Sequence, residues 1–429
     1  MRAFFLPLQS LQGRASGSAA ANVSGRRLKE ELPSLLVLGL IPAISSLGMS
    51  LHVPALNNMA RCLSVDLFTA QSALSLYMLA FSVAIFASAF LADLVGKRRI
   101  LLVSLSVSAL ASMLAAAASC FEVLLLARVL QAFAAGFIVV MPYAILQEML
   151  SGRALSKTIS FVSVLHSVAG ATAPLLGGMF ALGHGWRLAF ALMSVYAIAM
   201  LVCVHKSVRP SYIKRRKSPL PRELFSRART LVFGKRFIAC MALLSFISAL
   251  YYGFLAVAPV MLITNLKFSE FHCGFALFVL CGFWPLGNRI ASSWVDRFGM
   301  VRSFQLAALI TCLGLIPLVF GPGGNGFVLI TVAMIPYMIG AGIISPLVVA
   351  LATRPDPGLS GMASSLMFSA QVFIGALTAW FFGFFDLSTC RDIGLFGLFM
   401  TMVSLVAIAI IFPPILNRTT LEGGKLRAG

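Results

Sequence analysis

The amino-acid sequence predicts an all-α membrane protein of twelve transmembrane helices in two pseudo-symmetric six-helix bundles. Three observations lead there. The chain has 429 residues, is 60% hydrophobic and 11% charged, and has a mean hydropathy of +0.97, leaving too little polar surface to coat a water-soluble globule. Apolar stretches of about 20 residues, enough to cross ~30 Å of hydrocarbon, recur from Leu35 to Leu416. A dense basic stretch then divides six of these stretches from the other six. Inside lipid no water satisfies the backbone, so each crossing segment is expected to be a helix.

Residues 1–33 carry basic residues among Ser and Ala and read as a cytoplasmic tail, with the first span serving as the insertion signal. The first six spans are read at roughly 34–58, 69–91, 100–119, 123–146, 158–182 and 187–205, forming an N-terminal bundle over 34–205. A basic cytoplasmic linker, 206–236, follows; Lys206, Arg209, the Lys214 to Lys217 run and Arg236 belong to it, Glu223 is its one acid, and Pro210, Pro219 and Pro221 argue against a continuous helix. Its charge suits anionic lipid headgroups. The last six spans, at roughly 237–263, 273–294, 303–320, 327–351, 362–385 and 393–415, form a C-terminal bundle over 237–416, and 417–429 is a second cytoplasmic tail.

The formal charge of +20 would point to nucleic acid in a soluble protein. Here its distribution points to lipid instead. With the amino terminus inside, the outer connections hold only Arg61, Arg187, Lys267 and Arg391, the asymmetry that fixes orientation because Lys and Arg resist translocation. Both termini are therefore expected in the cytoplasm. The eight cysteines lack metal-ligand spacing, so no metal or cofactor is expected; they read as thiols, with pairing among Cys62, Cys120, Cys273 and Cys390 left open. No G-x-x-x-x-G-K-[ST], H-E-x-x-H or G-x-S-x-G pattern occurs, which argues against an enzyme or a primary pump.

Short motifs refine the reading. Asp93-Leu94-Val95-Gly96-Lys97-Arg98 follows the second span, and Asp296-Arg297-Phe298-Gly299 with Arg302 follows the eighth, so a D-x-x-G turn with basic residues recurs at equivalent places in the halves. Arg128 and Gln131 lie more than a turn inside the fourth span, where a guanidinium is expensive unless it meets a cavity or a partner. Gly170, Pro174, Gly177 and Gly178 place small residues and a helix-kinking proline in the fifth span, a combination suited to a pivot.

These segments resemble signatures of the major facilitator superfamily. Leu91, Ala92, Asp93, Gly96, Lys97 and Arg98 fit its cytoplasmic loop motif, with Ala89 and Leu94 departing from it. Arg128, Gln131 and Gly136 are similar to its fourth-span motif, and Gly170 to Gly178 to its exporter motif, with Ala173 in place of a glycine. Val53-Pro54-Ala55-Leu56, Gly185-Trp186-Arg187, Ala258-Pro259 and Gly361 to Ser365 with Gln371 resemble the Bcr/CflA group of drug:proton antiporters. The resemblance, running from about Ser34 to Leu416, implies a monomeric secondary transporter of the bacterial inner membrane. It would export small amphipathic molecules with protons as coupling ion.

One departure matters. Family exporters carry a first-span carboxylate just before the Leu-Pro-Ala element, where this chain has Ser50, and none of the thirteen acids falls at a bilayer midplane. The titratable candidates for coupling are His166 and Glu148 first, then His52, with Arg128 and Gln131 beside them. A cavity between the halves is expected to draw on Tyr77, Phe81, Tyr143, Tyr251, Trp284, Tyr337 and Gln371, with Arg128 lining the path. Three functional readings stay open: efflux of drug-like compounds, export of one endogenous metabolite such as a siderophore, and a transport-inactive membrane sensor or partner-binding protein.

Overall fold

The computed structural model describes residues 34–150, 152–181, 185–208, 233–320, 326–353, 360–385 and 389–411; the two tails and most of the basic linker lie outside these ranges. Among the described residues all regular structure is helical, and ten helices are long and apolar enough to cross a membrane. We number α1 Ser34–Cys62, α2 Leu67–Val95, α3 Lys97–Ala116, α4 Phe121–Met149, α5 Gly152–Phe180 and α6 Gly185–Ser207 in the first half. In the second, α7 is Lys235–Pro259, α10 Gly326–Thr353, α11 Ser360–Phe384 and α12 Cys390–Ile411. Between them Glu270–Phe320 is one run of 51 residues that breaks at Gly299 into α8 (270–298) and α9 (300–320). With that break, and with α12, which is not one of the ten, the described residues hold twelve helices, six on each side of the linker.

Several helices outrun the spans read from hydropathy, and the reasons are local. α1 continues to Cys62 through the polar pair Asn57 and Asn58, passing a 3₁₀ turn, Val53–Ala55, at Pro54, whose ring cannot donate to the ladder. α7 ends in a π-turn, Val260–Asn265, directly after Pro259. α5 starts at Gly152, several residues before its apolar stretch begins. Large apolar side chains such as Val103, Leu110, Val195 and Phe399 remain exposed on the bundle exterior, where lipid is their solvent.

The duplication seen in the motifs is written into the backbone. Gly96 and Gly299, with φ of 99° and 76°, are separated by the same interval as Ser64 and Lys267, the non-glycine residues with φ of 54° and 59°. In each half a left-handed residue closes the turn before the second helix, and a left-handed glycine closes the turn after it. The prolines that break the first helix of each half, Pro54 and Pro259, fall at matching places too.

Within the first half α2 and α3 both pack on α4, α3 also packs on α6, and α1 lies against α4 and α5; in the second, α7 packs on α11 and α12, and α10 on the α8 and α9 run. The halves meet along two seams, α2 with α11 and α5 with α8. On the first seam Phe81 and Phe368 meet edge to face at 6.1 Å, Phe68 and Phe384 at 6.2 Å, and Ser369 donates to the Ser82 carbonyl at 2.8 Å. On the second, Gly178 and Gly274 bring two backbones together so closely that a Cβ on either would overlap the other chain.

Candidate functional site

The α5 and α8 seam is tight at one end and loosens toward the other. Down the α5 face that carries Gly178, Pro174 and Ala171 are buried, Ser167 is half-buried, and Ser163 and Ser160 are exposed. The facing side of α8 runs from buried Gly274 through half-buried Pro285 and Asn288 to exposed Ser292. Along this seam the halves are thus in contact at the end distant from Gly96 and Gly299, and the side chains become exposed toward the end that carries those glycines. At the joined end Asn57 donates to Thr264 at 3.4 Å, Arg61 faces Glu270 at 3.8 Å, and Gln71 donates to the Ala256 carbonyl at 3.2 Å, all from one half to the other.

The glycines of the fifth-span motif divide their work. Gly170 lies against Ser46 of α1, and Gly177 lets α5 lie directly on the α1 backbone at Leu51, two residues before the 3₁₀ turn begins. Gly178 faces α8 in the other half. Spacing alone shows that such residues permit close approach; it does not reveal that adjacent glycines serve two different partners.

At the parted end, Lys97 forms an ion pair with Glu148 at the end of α4. Arg98 donates through Nε to the Val208 carbonyl at 2.6 Å and through Nη2 to the His205 carbonyl at 3.1 Å, satisfying the last carbonyls of α6. The basic residues after Gly96 thereby tie α3 to α4 and α6. The Asp93 side chain of the loop motif lies outside the described residues. In the second half Asp296 is exposed and Arg297 lies 5.5 Å from the Phe298 ring, so no matching ion pair forms among the described residues there.

Arg128 does not line the gap. It is fully buried inside the first half, donating through Nη1 to the Gly48 carbonyl at 2.8 Å and to Gln131 Oε1 at 2.6 Å. Its Nη2 lies 3.3 Å from His52 Nδ1, and its guanidinium sits 4.0 Å above the Tyr77 ring. Gln131 passes the network on to the Ser112 hydroxyl at 2.8 Å. The reason is geometric: the helix face of Arg128 points at α1 and α2, where the Gly48 carbonyl and the Tyr77 ring receive the guanidinium. The second half uses a phenol in a comparable position, since the Tyr337 hydroxyl of α10 donates to the Ile247 carbonyl of α7.

The remaining candidates separate by burial. Tyr77, Phe81, Tyr337 and Gln371 are buried in helix packing, Gln371 donating to Ser248 at 2.8 Å, and do not face the gap in this conformation. Tyr143, Tyr251 and Trp284 are half-buried, with Tyr251 and Trp284 rings 5.6 Å apart. His166 is half-buried on α5, its Nε2 3.4 Å from the Ser45 hydroxyl, while Ser46 donates to its carbonyl at 3.2 Å. His52 is buried against Arg128, and Glu148 is engaged by Lys97. The seven described cysteines, Cys62, Cys120 and Cys273 among them, are thiols, and no metal-binding group of His, Cys, Asp or Glu occurs among the described residues.

Two six-helix bodies packed along two seams, one of which opens toward the end that carries Gly96 and Gly299, define a polytopic membrane transporter. The chain belongs to the Major Facilitator Superfamily, whose profile matches residues 38–379. It is 26% identical over 401 residues to Multidrug resistance protein D of Escherichia coli (strain K12), covering 91% of this chain and 97% of that protein. Over 167 residues it is 30% identical to a Chloramphenicol resistance protein of Pseudomonas aeruginosa, covering 39% of this chain and 40% of that one. Its fold is similar to that of a crystallised D-xylose-proton symporter, with a TM-score of 0.71 at 14% identity, covering 87% of this chain and 97% of the other.

Proposed function

We propose that this chain exports small amphipathic, drug-like molecules across a bacterial inner membrane by alternating access, with proton entry as the driving force. The observation that carries the reading is the graded opening of the α5 and α8 seam, buried at Gly178 and Gly274 and exposed at Ser160 and Ser292. A central gap reached from one end, between bodies joined by a glycine contact, is what a rocking transporter needs. The drug-resistance proteins that the chain resembles along nearly its whole length support an outward direction and a drug-like cargo.

The basic residues of the Gly96 and Gly299 turns and of the linker argue that the parted end faces the cytoplasm, with both termini there. The cargo then enters from the cytoplasm or the inner leaflet. Tyr251 and Trp284 offer aromatic faces to a neutral amphipath. Lipid surrounds a single chain, and no second subunit is required. For the proton, His166 is the first carrier, positioned on the moving helix α5 beside Ser45, with Glu148 and His52 behind it.

Reconstituted protein under an imposed pH gradient tests this directly. Wild type should concentrate a lipophilic dye or antibiotic against its gradient, and His166→Ala should lose the gradient-driven part. Absence of flux for a broad panel of amphipaths removes the export reading, whereas undiminished flux in His166→Ala removes only that histidine's role.

A further inference from the structure

The Arg128 cluster is unusual in what it lacks. A guanidinium cut off from water needs compensation for its charge, because desolvation of a buried ion is worth several kcal/mol. The Tyr77 face, the Gly48 carbonyl and Gln131 Oε1 supply dipoles and a quadrupole, yet none carries a negative charge. Among the described residues Arg128 forms no ion pair. Every acid whose side chain is described sits at a helix end or in a connection: Asp66, Glu122 and Asp296 are exposed, Glu148 pairs with Lys97, Glu270 faces Arg61, and Asp392 opens α12. Glu122 shares a helix with Arg128 but stands six residues away, a rise of about 9 Å.

Each unmatched polar atom around this cation carries a hydrogen it can donate. Arg128 Nε, His52 Nε2 and Tyr77 Oη are buried and have no hydrogen-bond partner. A guanidinium only donates, so His52 Nδ1, 3.3 Å from Nη2, accepts, and the ring proton is left on Nε2. Three unused donor hydrogens about one unbalanced positive charge call for a negatively charged ligand. A Cβ on Gly48 would be 2.6 Å from Tyr77 Oη, so the glycine is what lets the phenol lie against α1 beside Arg128. The 3₁₀ break of α1 begins immediately after His52, giving this wall a natural place to yield.

From this geometry we infer that the first half contains a binding site for a small monovalent anion, held by Arg128, His52 and Tyr77, which supplies the counter-charge that no side chain provides. Chloride and the carboxylate of an organic acid share the required chemistry. The site lies inside one half and not in the gap, so it stands apart from the cargo path proposed above and survives even if that proposal fails.

The test uses the purified full chain in lipid nanodiscs without cargo. The thermal midpoint is followed while potassium gluconate is replaced by potassium chloride, or in a second arm by potassium acetate, at constant ionic strength. A site occupied only in the folded protein gives a saturable rise of about 3 °C or more at high occupancy. Radiochloride should bind to saturation at about one per chain. Gln131→Glu places a carboxylate oxygen where Gln131 Oε1 now takes the Arg128 Nη1 hydrogen, so it should abolish both the shift and the binding. A response to chloride assigns an inorganic ion; a response to acetate alone assigns a carboxylate-bearing ligand. A midpoint indifferent to both anions, no saturable radiochloride binding together with no acetate shift, or a Gln131→Glu protein that responds like wild type overturns the site. Should Gln131→Glu fail to fold, radiochloride binding and its displacement by acetate on the wild type decide alone.

Discussion

Replacing Gly274 by alanine tests the idea that the joined end is held by a backbone seam. A Cβ on Gly274 would stand 3.1 Å from Gly178 Cα, 3.2 Å from Gly178 N, and inside the carbonyl oxygen of Pro174. Backbone on both sides cannot swing away as a side-chain tip would, so the strain falls within the overpacking range of about 1–3 kcal/mol. The strain exists only while the seam is closed. It therefore moves the balance between closed and open joined ends by roughly 5-fold to 150-fold toward open. Spin labels at Arg61→Cys and Phe271→Cys, in a chain whose eight native cysteines have been replaced, report this opening as a longer distance between labels. Gly177→Ala is the control: its Cβ would strike Leu51 and Pro54 of the same half, so it should lower stability without lengthening that distance. An unchanged distance distribution in folded Gly274→Ala, or an equal change in Gly177→Ala, would refute the seam as the holding element.

Four further outcomes follow from contacts described above. Gly96→Ala and Gly299→Ala each should cost about 1–2 kcal/mol, because nothing crowds a Cβ at either site and only the left-handed backbone objects; denaturation midpoints check this. Lys97→Ala and Glu148→Ala, combined in a double-mutant cycle, should show a coupling of up to about 1 kcal/mol, discounted for their partial exposure. Tyr337→Phe leaves the Ile247 carbonyl without its donor and should lower stability by about 1–3 kcal/mol, seen as a reduced thermal midpoint. The side-chain and backbone donors of Thr69 hold the Asp66 carboxyl below its usual range. Its cap on α2 therefore stabilises the protein above the unfolded carboxylate range and is lost as pH falls through the lower folded value; Asp66→Ala should be less stable than wild type near neutrality and equal to it in strong acid.

Much of the architecture was legible because lipid imposes a simple code. Apolar length gave the spans, and the D-x-x-G repeat pointed to a duplicated chain whose equivalent glycines share a left-handed backbone. Other features escaped for physical reasons. Hydropathy ends α1 at Asn58, the second of a polar pair, although Asn57 turns to the other half, Asn58 donates to the Ala181 carbonyl, and the helix runs on to Cys62. The burial of Arg128 was not readable from its own helix, since the carbonyl that receives it is that of Gly48, eighty positions earlier on α1. The division of labour between Gly177 and Gly178 is equally invisible in sequence, because a glycine does not announce which neighbour needs the room.

The meeting of Gly178 with Gly274 has a mechanical consequence. Dispersion between bare backbones is strongest at contact and loses about a quarter to a half of its strength within roughly an ångström of separation, unlike charge attraction, which reaches far. Such a junction behaves more as a catch than as a spring: it holds while seated, then weakens steeply with displacement. The weak, exposed Arg61 and Glu270 pair adds little pull once the surfaces part, so nothing long-ranged drags the bodies back, and each full swing can finish.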